Sequence, residues 1–75
     1  MVRFNAIIHL DETTMIKKNF NVKNKTEAKA KALKWLNQVK KQYTRTVTFD
    51  LNLSDKEDIF FTAHRKNKDT YSNIF

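Results

Sequence analysis

The sequence predicts an α+β domain: a two-layer ββαββ arrangement in which one amphipathic helix packs on one face of a four-stranded, mainly antiparallel sheet. Three segments alternate apolar and polar residues with a period of two, and a fourth, residues 59–65, does so less regularly because three apolar residues are consecutive at its start. Such alternation is typical of half-buried strands. One segment between the second and third of them follows the 3.6-residue period of a helix. Elements that are apolar on one face bury it against each other, so two layers are expected.

The first two strands are predicted to form a hairpin. The first strand has its apolar residues at every second position, namely Val2, Phe4, Ala6, Ile8 and Leu10. Residues 11–13 form a polar break that suits a short turn. The alternation resumes at Ile16, Phe20 and Val22, and Lys18 interrupts the apolar side of this second strand.

An amphipathic helix follows over residues 25–43. Asn24 is the expected N-cap, and Glu27 three residues later completes a capping-box pattern at the positive end of the helix dipole. At about 100° per residue, one helix face collects the residues that are expected to contact the sheet: Ala28, Ala32, Trp35, Leu36, Val39 and Tyr43.

A second pair of strands completes the domain. The apolar positions of the third strand are Val47, Phe49, Leu51 and Leu53. A polar loop over 54–58 leads to a fourth strand over 59–65, in which Ile59, Phe61 and Ala63 are expected to face inward. In topology the arrangement resembles a small β-grasp sheet of order 2-1-4-3, with the first and last strands parallel at the centre.

The predicted domain covers residues 1–65, and residues 66–75 form a polar C-terminal tail. The tail has two interpretations. It is either loose or docked on the domain through its last apolar residues, which are Tyr71, Ile74 and Phe75.

The composition excludes several classes of function. The chain has no Cys, which excludes disulfides and thiolate metal sites. It has no Gly and no Pro, so the Gly-rich phosphate loops of P-loop and dinucleotide-binding proteins are excluded, and turns with positive φ must use Asn or Asp. No apolar run approaches the roughly 20 residues of a membrane span, and no signal peptide is visible. We therefore expect a cytoplasmic protein without a membrane partner.

Catalysis has little support in the sequence. His9 and His64 are the two histidines, and strand periodicity places both on the solvent face of the sheet. Neighbouring first and fourth strands would bring them together, but two solvated histidines without a patterned acidic partner are the simpler interpretation. The acidic residues of the 54–58 loop could form a calcium site, but a polar turn explains them equally well. We expect no enzymatic activity, no metal and no cofactor.

The excess positive charge lies in one stretch of the sequence. Between Lys17 and Arg45 there are ten basic residues and one acid, a balance of +9, whereas the whole chain carries +7. A basic surface attracts polyanions over roughly the Debye length, about 8–10 Å. The residues expected to bind are Lys23 and Lys25 at the start of the helix, and Lys31, Lys34 and Lys41 on its face away from the core. A solvated lysine face that reflects an AT-rich genome is the competing interpretation.

The outer face of the sheet is a second candidate surface. Its expected members are Arg3, Ile7, His9, Phe60 and His64. An exposed aromatic ring on a sheet can stack an unpaired base. Homodimerisation through Ile7 and Phe60, cover by the C-terminal tail, or an inward-facing Phe60 would explain the same pattern.

These observations favour a small non-enzymatic module that binds nucleic acid or a nucleoprotein through a lysine-rich helix face. Residues 17–45 contain nine Lys and one Arg, and lysine acts as a point charge, so weak sequence readout is expected. In size and in Asn and Lys content, the chain also resembles the small inhibitors that phages and mobile elements make, such as anti-CRISPR and anti-restriction proteins. That resemblance implies an alternative function, a protein–protein contact with a host defence protein.

Overall fold

The computed structural model describes residues 1–56 and 58–66. Its elements in chain order are strands β1 (Val2–Leu10) and β2 (Thr14–Val22), helix α1 (Lys25–Gln42), and strands β3 (Thr48–Ser54) and β4 (Ile59–Lys66). The predicted α+β class, with four strands and one helix, is confirmed. The predicted docking of the tail through Tyr71, Ile74 and Phe75 lies outside the described residues.

The strands lie in the order β2-β1-β3-β4, and every neighbouring pair is antiparallel. The β-grasp-like order 2-1-4-3, with parallel strands at the centre, is therefore wrong. A central strand suits a continuous apolar inner face, and β3 provides one with Phe49, Leu51 and Leu53, which are all fully buried. β4 ends in the exposed basic residues 64–66, and charged residues are common on edge strands because they discourage further pairing.

The hydrophobic core lies between α1 and one face of the sheet. Its buried side chains are Phe4, Ala6, Ile8 and Leu10 of β1, Val22 of β2, Ala28, Ala32, Leu36 and Val39 of α1, and Phe49, Leu51 and Leu53 of β3. The outer sheet face is not covered by any element that the structure describes. Within residues 1–56 and 58–66, no helix has both the length and the apolar composition needed to cross a lipid bilayer.

The turn between β1 and β2 shows how this chain forms a tight turn without glycine. Asp11 has a φ of 55° and is the one described residue with a positive φ. Its side-chain Oδ1 accepts a hydrogen bond from the backbone N–H of Thr48 at 3.4 Å, and its own N–H donates to the Thr48 carbonyl at 3.4 Å. The expectation that Asn or Asp takes such a position is confirmed, and the turn is linked to the start of β3.

A β-bulge in β4 redirects one aromatic side chain. The pairing of β3 with β4 shifts after the Leu53–Phe61 pair, so that Phe60 is an extra residue in β4. The Phe60 ring packs edge-to-face on buried Phe4, with the ring centroids 5.6 Å apart, and therefore lies on the helix side of the sheet. Ile59, by contrast, is 59% exposed. The predictions that Phe60 faces outward and Ile59 inward are both wrong.

Helix α1 begins as its sequence predicts, at the N-cap Asn24, whose contribution to stability can be measured. The Oδ1 of Asn24 accepts the Glu27 backbone N–H at 2.9 Å, while Asn24 itself is extended with a φ of −157°. We expect Asn24→Ala to lower the free energy of unfolding by about 0.5–2 kcal/mol, because one N–H of the first turn loses its acceptor. Urea denaturation measures this loss.

The matched control for this prediction is Asn37→Ala, in the exposed middle of the same helix. Alanine is the better helix former at an interior position. The control is therefore expected to leave stability unchanged or slightly increased. Equal losses in the two variants would contradict a capping role for Asn24.

Candidate functional site

A groove of about 360 Å³ lies between helix α1 and the edge strand β2. Its lining consists of three lysines, two aromatic residues and one amide: Lys18, Phe20, Lys31, Lys34, Trp35 and Gln38. A volume near 360 Å³ is at the low end of the range for sites that hold small organic ligands, about 300–1,000 Å³. The groove is therefore large enough for one small organic ligand.

One flank of α1 forms the first wall of the groove. Lys31, Trp35 and Gln38 follow one another at intervals of four and three residues, and such intervals stack side chains along one side of a helix. Lys34, three residues after Lys31, extends the wall toward the solvent-exposed back of the helix. The core residues of α1 lie next to this flank, so packing against the sheet fixes the orientation of the wall.

The strand β2 forms the second wall. Lys18 and Phe20 are cross-strand partners of the buried Ala6 and Phe4, so they lie on the helix side of the sheet. Lysine is tolerated at this inward position because β2 is an edge strand, where the side chain can place its stem on apolar surface and its ammonium group in water. The Nζ of Lys18 lies 5.8 Å from the centre of the Phe20 ring.

The two aromatic rings at the base of the groove pack on each other. The Phe20 and Trp35 centroids are 6.1 Å apart, and the ring planes are inclined by 73°. This edge-to-face geometry contributes about 0.5–1.5 kcal/mol beyond simple burial. Both side chains are half-buried, so the pair is held by the domain while part of its surface stays accessible.

The groove is positively charged. Three lysine ammonium groups border it, and none of the described residues in its lining is acidic. Glu27, the one acid of α1, lies in the first turn, where it interacts favourably with the helix dipole. The electrostatic field in the groove therefore favours an anionic ligand.

The five lysines predicted to bind lie in four separate places. Lys31 and Lys34 line the groove. Lys23 is exposed just before α1, and Lys41 is exposed in its last turn, and neither belongs to the groove lining. Lys25 lies on the opposite flank of the helix. The groove thus gathers two of the predicted residues and adds Lys18.

The opposite flank of α1 also combines lysine with aromatic rings, but its charges have partners within the domain. The Nζ of Lys25 is 3.6 Å from the Asp55 carboxylate and 5.0 Å from the centre of the Phe60 ring. Lys29 Nζ lies 5.4 Å from the centre of the Phe61 ring. Both of these rings are thus covered by a lysine of the same domain. In the groove Lys18 covers Phe20, but among the described residues no lysine lies over the indole of Trp35, so the groove is better suited to a ligand.

Four of the five residues predicted for the second surface lie on the outer sheet face: Arg3, Ile7, His9 and His64. Phe60 does not, because the bulge turns it toward α1, so base stacking or dimerisation on this face would lack its aromatic residue.

Strand β3 separates the two histidines, since His9 and His64 both pair with Asp50, and His64 Nδ1 contacts the Asp50 carboxylate. No three His, Asp or Glu residues group as a metal site among the described residues.

Sequence reasoning missed four of the six groove residues: Lys18, Phe20, Trp35 and Gln38. The periodicity assigns Phe20 and Trp35 to the core, and both do pack against it, but at its margin. The available signal was Lys18. A lysine at an inward position of a strand indicates a sheet edge with access to water.

The fold and the groove together define a small α+β domain with a basic, aromatic-lined groove. Comparison with protein families, curated proteins and solved structures finds no match to this chain. A functional proposal therefore rests on the chemistry of the groove residues.

Proposed function

We propose that this chain is a small, non-enzymatic, cytosolic module that binds nucleic acid through the groove and the lysine-rich face of α1. The observation that carries the proposal is the convergence of Lys18, Lys31 and Lys34 on one groove. Ammonium groups on two walls can contact successive phosphates of a chain that lies between them. Contacts of this kind supply most of the affinity in sequence-independent binding.

Repulsion within the groove favours a polyanionic ligand. Lys31 and Lys34 are three residues apart on one helix, a spacing at which like charges cost about 0.2–0.5 kcal/mol. A bound phosphate replaces this repulsion with attraction and releases counterions into solution. Because lysine offers a point charge rather than the planar fork of arginine, affinity should depend little on base sequence.

Salt dependence tests the proposal directly. With three phosphates contacted, log K should fall linearly with log salt concentration, at a slope of about −2 for a single strand and about −3 for a duplex. Fluorescence anisotropy of a labelled oligonucleotide of mixed sequence measures the slope from about 50 mM salt upward. Two oligonucleotides of unrelated sequence and equal length serve as the control and should give equal affinities.

Two results would contradict the proposal. Absence of binding to both single-stranded and duplex nucleic acid at about 50 mM salt would exclude nucleic acid as the partner. Binding that does not change with salt would exclude lysine–phosphate contact as its basis.

A protein partner is the second candidate function, of the kind that a phage or mobile-element inhibitor of anti-CRISPR or anti-restriction type would use. The observation that favours it is the outer sheet face, which no element of residues 1–56 and 58–66 covers; Met15 on this face is 51% exposed and lies opposite His9 on the neighbouring strand. Exposed apolar side chains with polar neighbours are common at protein interfaces. Affinity capture from lysate with and without nuclease distinguishes the candidates, because a nucleic-acid-mediated partner is lost after nuclease treatment.

A further inference from the structure

We infer that the groove receives one unpaired nucleotide of a single-stranded nucleic acid, with its base against Trp35 and its flanking phosphates against Lys18, Lys31 and Lys34. This inference rests on the proposed function and specifies its ligand. It depends on the position of the aromatic pair between the lysines, which simple phosphate binding does not require.

The aromatic pair provides the reason for an unpaired base. Every base has a π-face that can stack on an aromatic side chain, and in a duplex those faces are already covered by neighbouring base pairs. Phe20 supports Trp35 edge-to-face at 6.1 Å, so the indole is positioned before a ligand arrives. A ring held in this way loses little conformational entropy on binding.

The lysines are placed to contact the phosphates on either side of that base. Lys18 comes from β2, and Lys31 and Lys34 come from α1, so the positive charges border the aromatic pair from both walls. A strand that runs along the groove would present its backbone to these charges and its base to the rings. Proteins that bind single strands without sequence preference use the same combination of a basic groove and stacking side chains.

Gln38 adds a neutral polar group to the same wall. Its amide has two N–H donors and one carbonyl acceptor, so it can hydrogen-bond the edge of a base of any identity. The groove volume of about 360 Å³ suits one nucleotide rather than a longer segment. One base with adaptable edge contacts implies binding with little sequence preference.

The opposite flank of α1 makes the assignment specific to the groove. There, Lys25 and Lys29 already lie over the rings of Phe60 and Phe61, and Lys25 also pairs with Asp55. A base would have to displace those lysines before it could stack. In the groove, Lys18 makes a similar contact with Phe20 at 5.8 Å, but the base is assigned to the indole of Trp35. Lys29→Glu on the opposite flank is the natural control.

The test uses the intrinsic fluorescence of Trp35, which is the single tryptophan of the chain. Three ligands of equal length are compared: a mixed-sequence single strand, the corresponding duplex, and an abasic single strand with the same backbone. The mixed-sequence strand should quench Trp35 emission and bind about 5- to 150-fold more tightly than the abasic strand, the factor expected for one base stacked on an aromatic ring. The duplex should bind without quenching.

Variants separate stacking from charge. Trp35→Leu should lose the preference for the mixed-sequence strand over the abasic strand, while Trp35→Phe should keep most of it; Lys29→Glu should leave this preference unchanged. These variants are followed by anisotropy of the labelled oligonucleotide, and their folding by circular dichroism. If Trp35→Leu does not fold, the comparison of the mixed-sequence, duplex and abasic oligonucleotides with the native chain is sufficient to test the inference.

The possible failures are distinguishable. Equal binding of abasic and mixed-sequence strands, without quenching, would overturn the inference and leave the proposed function intact. Absence of binding to every nucleic acid at about 50 mM salt would overturn both. A mononucleotide that binds as tightly as the mixed-sequence strand would also overturn the inference, because the flanking phosphates would then contribute nothing.

Discussion

Reversing the charge of the three groove lysines, as Lys18→Glu, Lys31→Glu and Lys34→Glu together, is expected to weaken nucleic-acid binding at low salt by at least about 100-fold. Each change removes an attraction to phosphate and adds a repulsion, and like charges brought together at an interface cost several kcal/mol. Anisotropy with the labelled oligonucleotide at about 50 mM salt measures the loss.

The matched control for this prediction reverses three exposed lysines elsewhere: Lys17 on the outer sheet face, Lys56 in the β3–β4 turn and Lys66 at the end of β4. Each substitution of Lys by Glu lowers the net charge by two units, so both triple variants lower the formal net charge from +7 to +1. Only long-range attraction is lost in the control, which should therefore bind far more tightly than the groove variant. Equal losses would show that net charge, and not the groove, determines affinity.

Folding must be checked in the groove variant before its binding is interpreted. Lys31→Glu sets a carboxylate four residues from Glu27, and like charges at this spacing cost a helix about 0.2–0.5 kcal/mol. A loss of this size leaves the domain folded. Circular dichroism and urea denaturation should accordingly give near-native values.

Leu36→Ala is expected to have the largest effect on stability, a loss of about 2–5 kcal/mol in the free energy of unfolding. Leu36 is 0% exposed and lies at the centre of the helix face that contacts the sheet. The substitution removes buried apolar surface and leaves a cavity. A 75-residue domain has a total stability of about 4–11 kcal/mol, so this single change removes much of it.

Leu33→Ala on the same helix is the matched control. Leu33 is half-buried and lies at the margin of the core, so its truncation should cost about 1–2 kcal/mol. The midpoint of urea denaturation should fall less for Leu33→Ala than for Leu36→Ala, with similar slopes for both. A smaller loss of stability for Leu36→Ala than for Leu33→Ala would contradict the placement of Leu36 at the centre of the core.

The order of the strands shows where sequence periodicity stops being informative. Alternation identifies each strand and its inner face, because burial on one side imposes a period of two. It does not state which strand lies beside which. In this chain β3, whose Phe49, Leu51 and Leu53 are fully buried, lies between β1 and β4, and β4 with its basic end takes the edge.

The bulge at Phe60 shows a second limit. A single extra residue reverses the direction of the side chains on one side of it, so a regular alternation assigns Phe60 to the wrong face. The contact with Phe4 of β1 is a long-range feature that no local pattern contains. The outer sheet face thereby loses the aromatic residue expected there.

From the amino-acid sequence one can predict the α+β class, the N-cap at Asn24, the use of Asn or Asp in place of glycine at positive φ, and the concentration of positive charge in residues 17–45. These properties are local, because each depends on composition or on residues a few positions apart. The grouping of Lys18 with Lys31 and Lys34 around Trp35, by contrast, is visible only in the folded domain. That grouping requires the edge position of β2 and the angle at which α1 packs over it, and both follow from the burial of side chains that are distant in sequence.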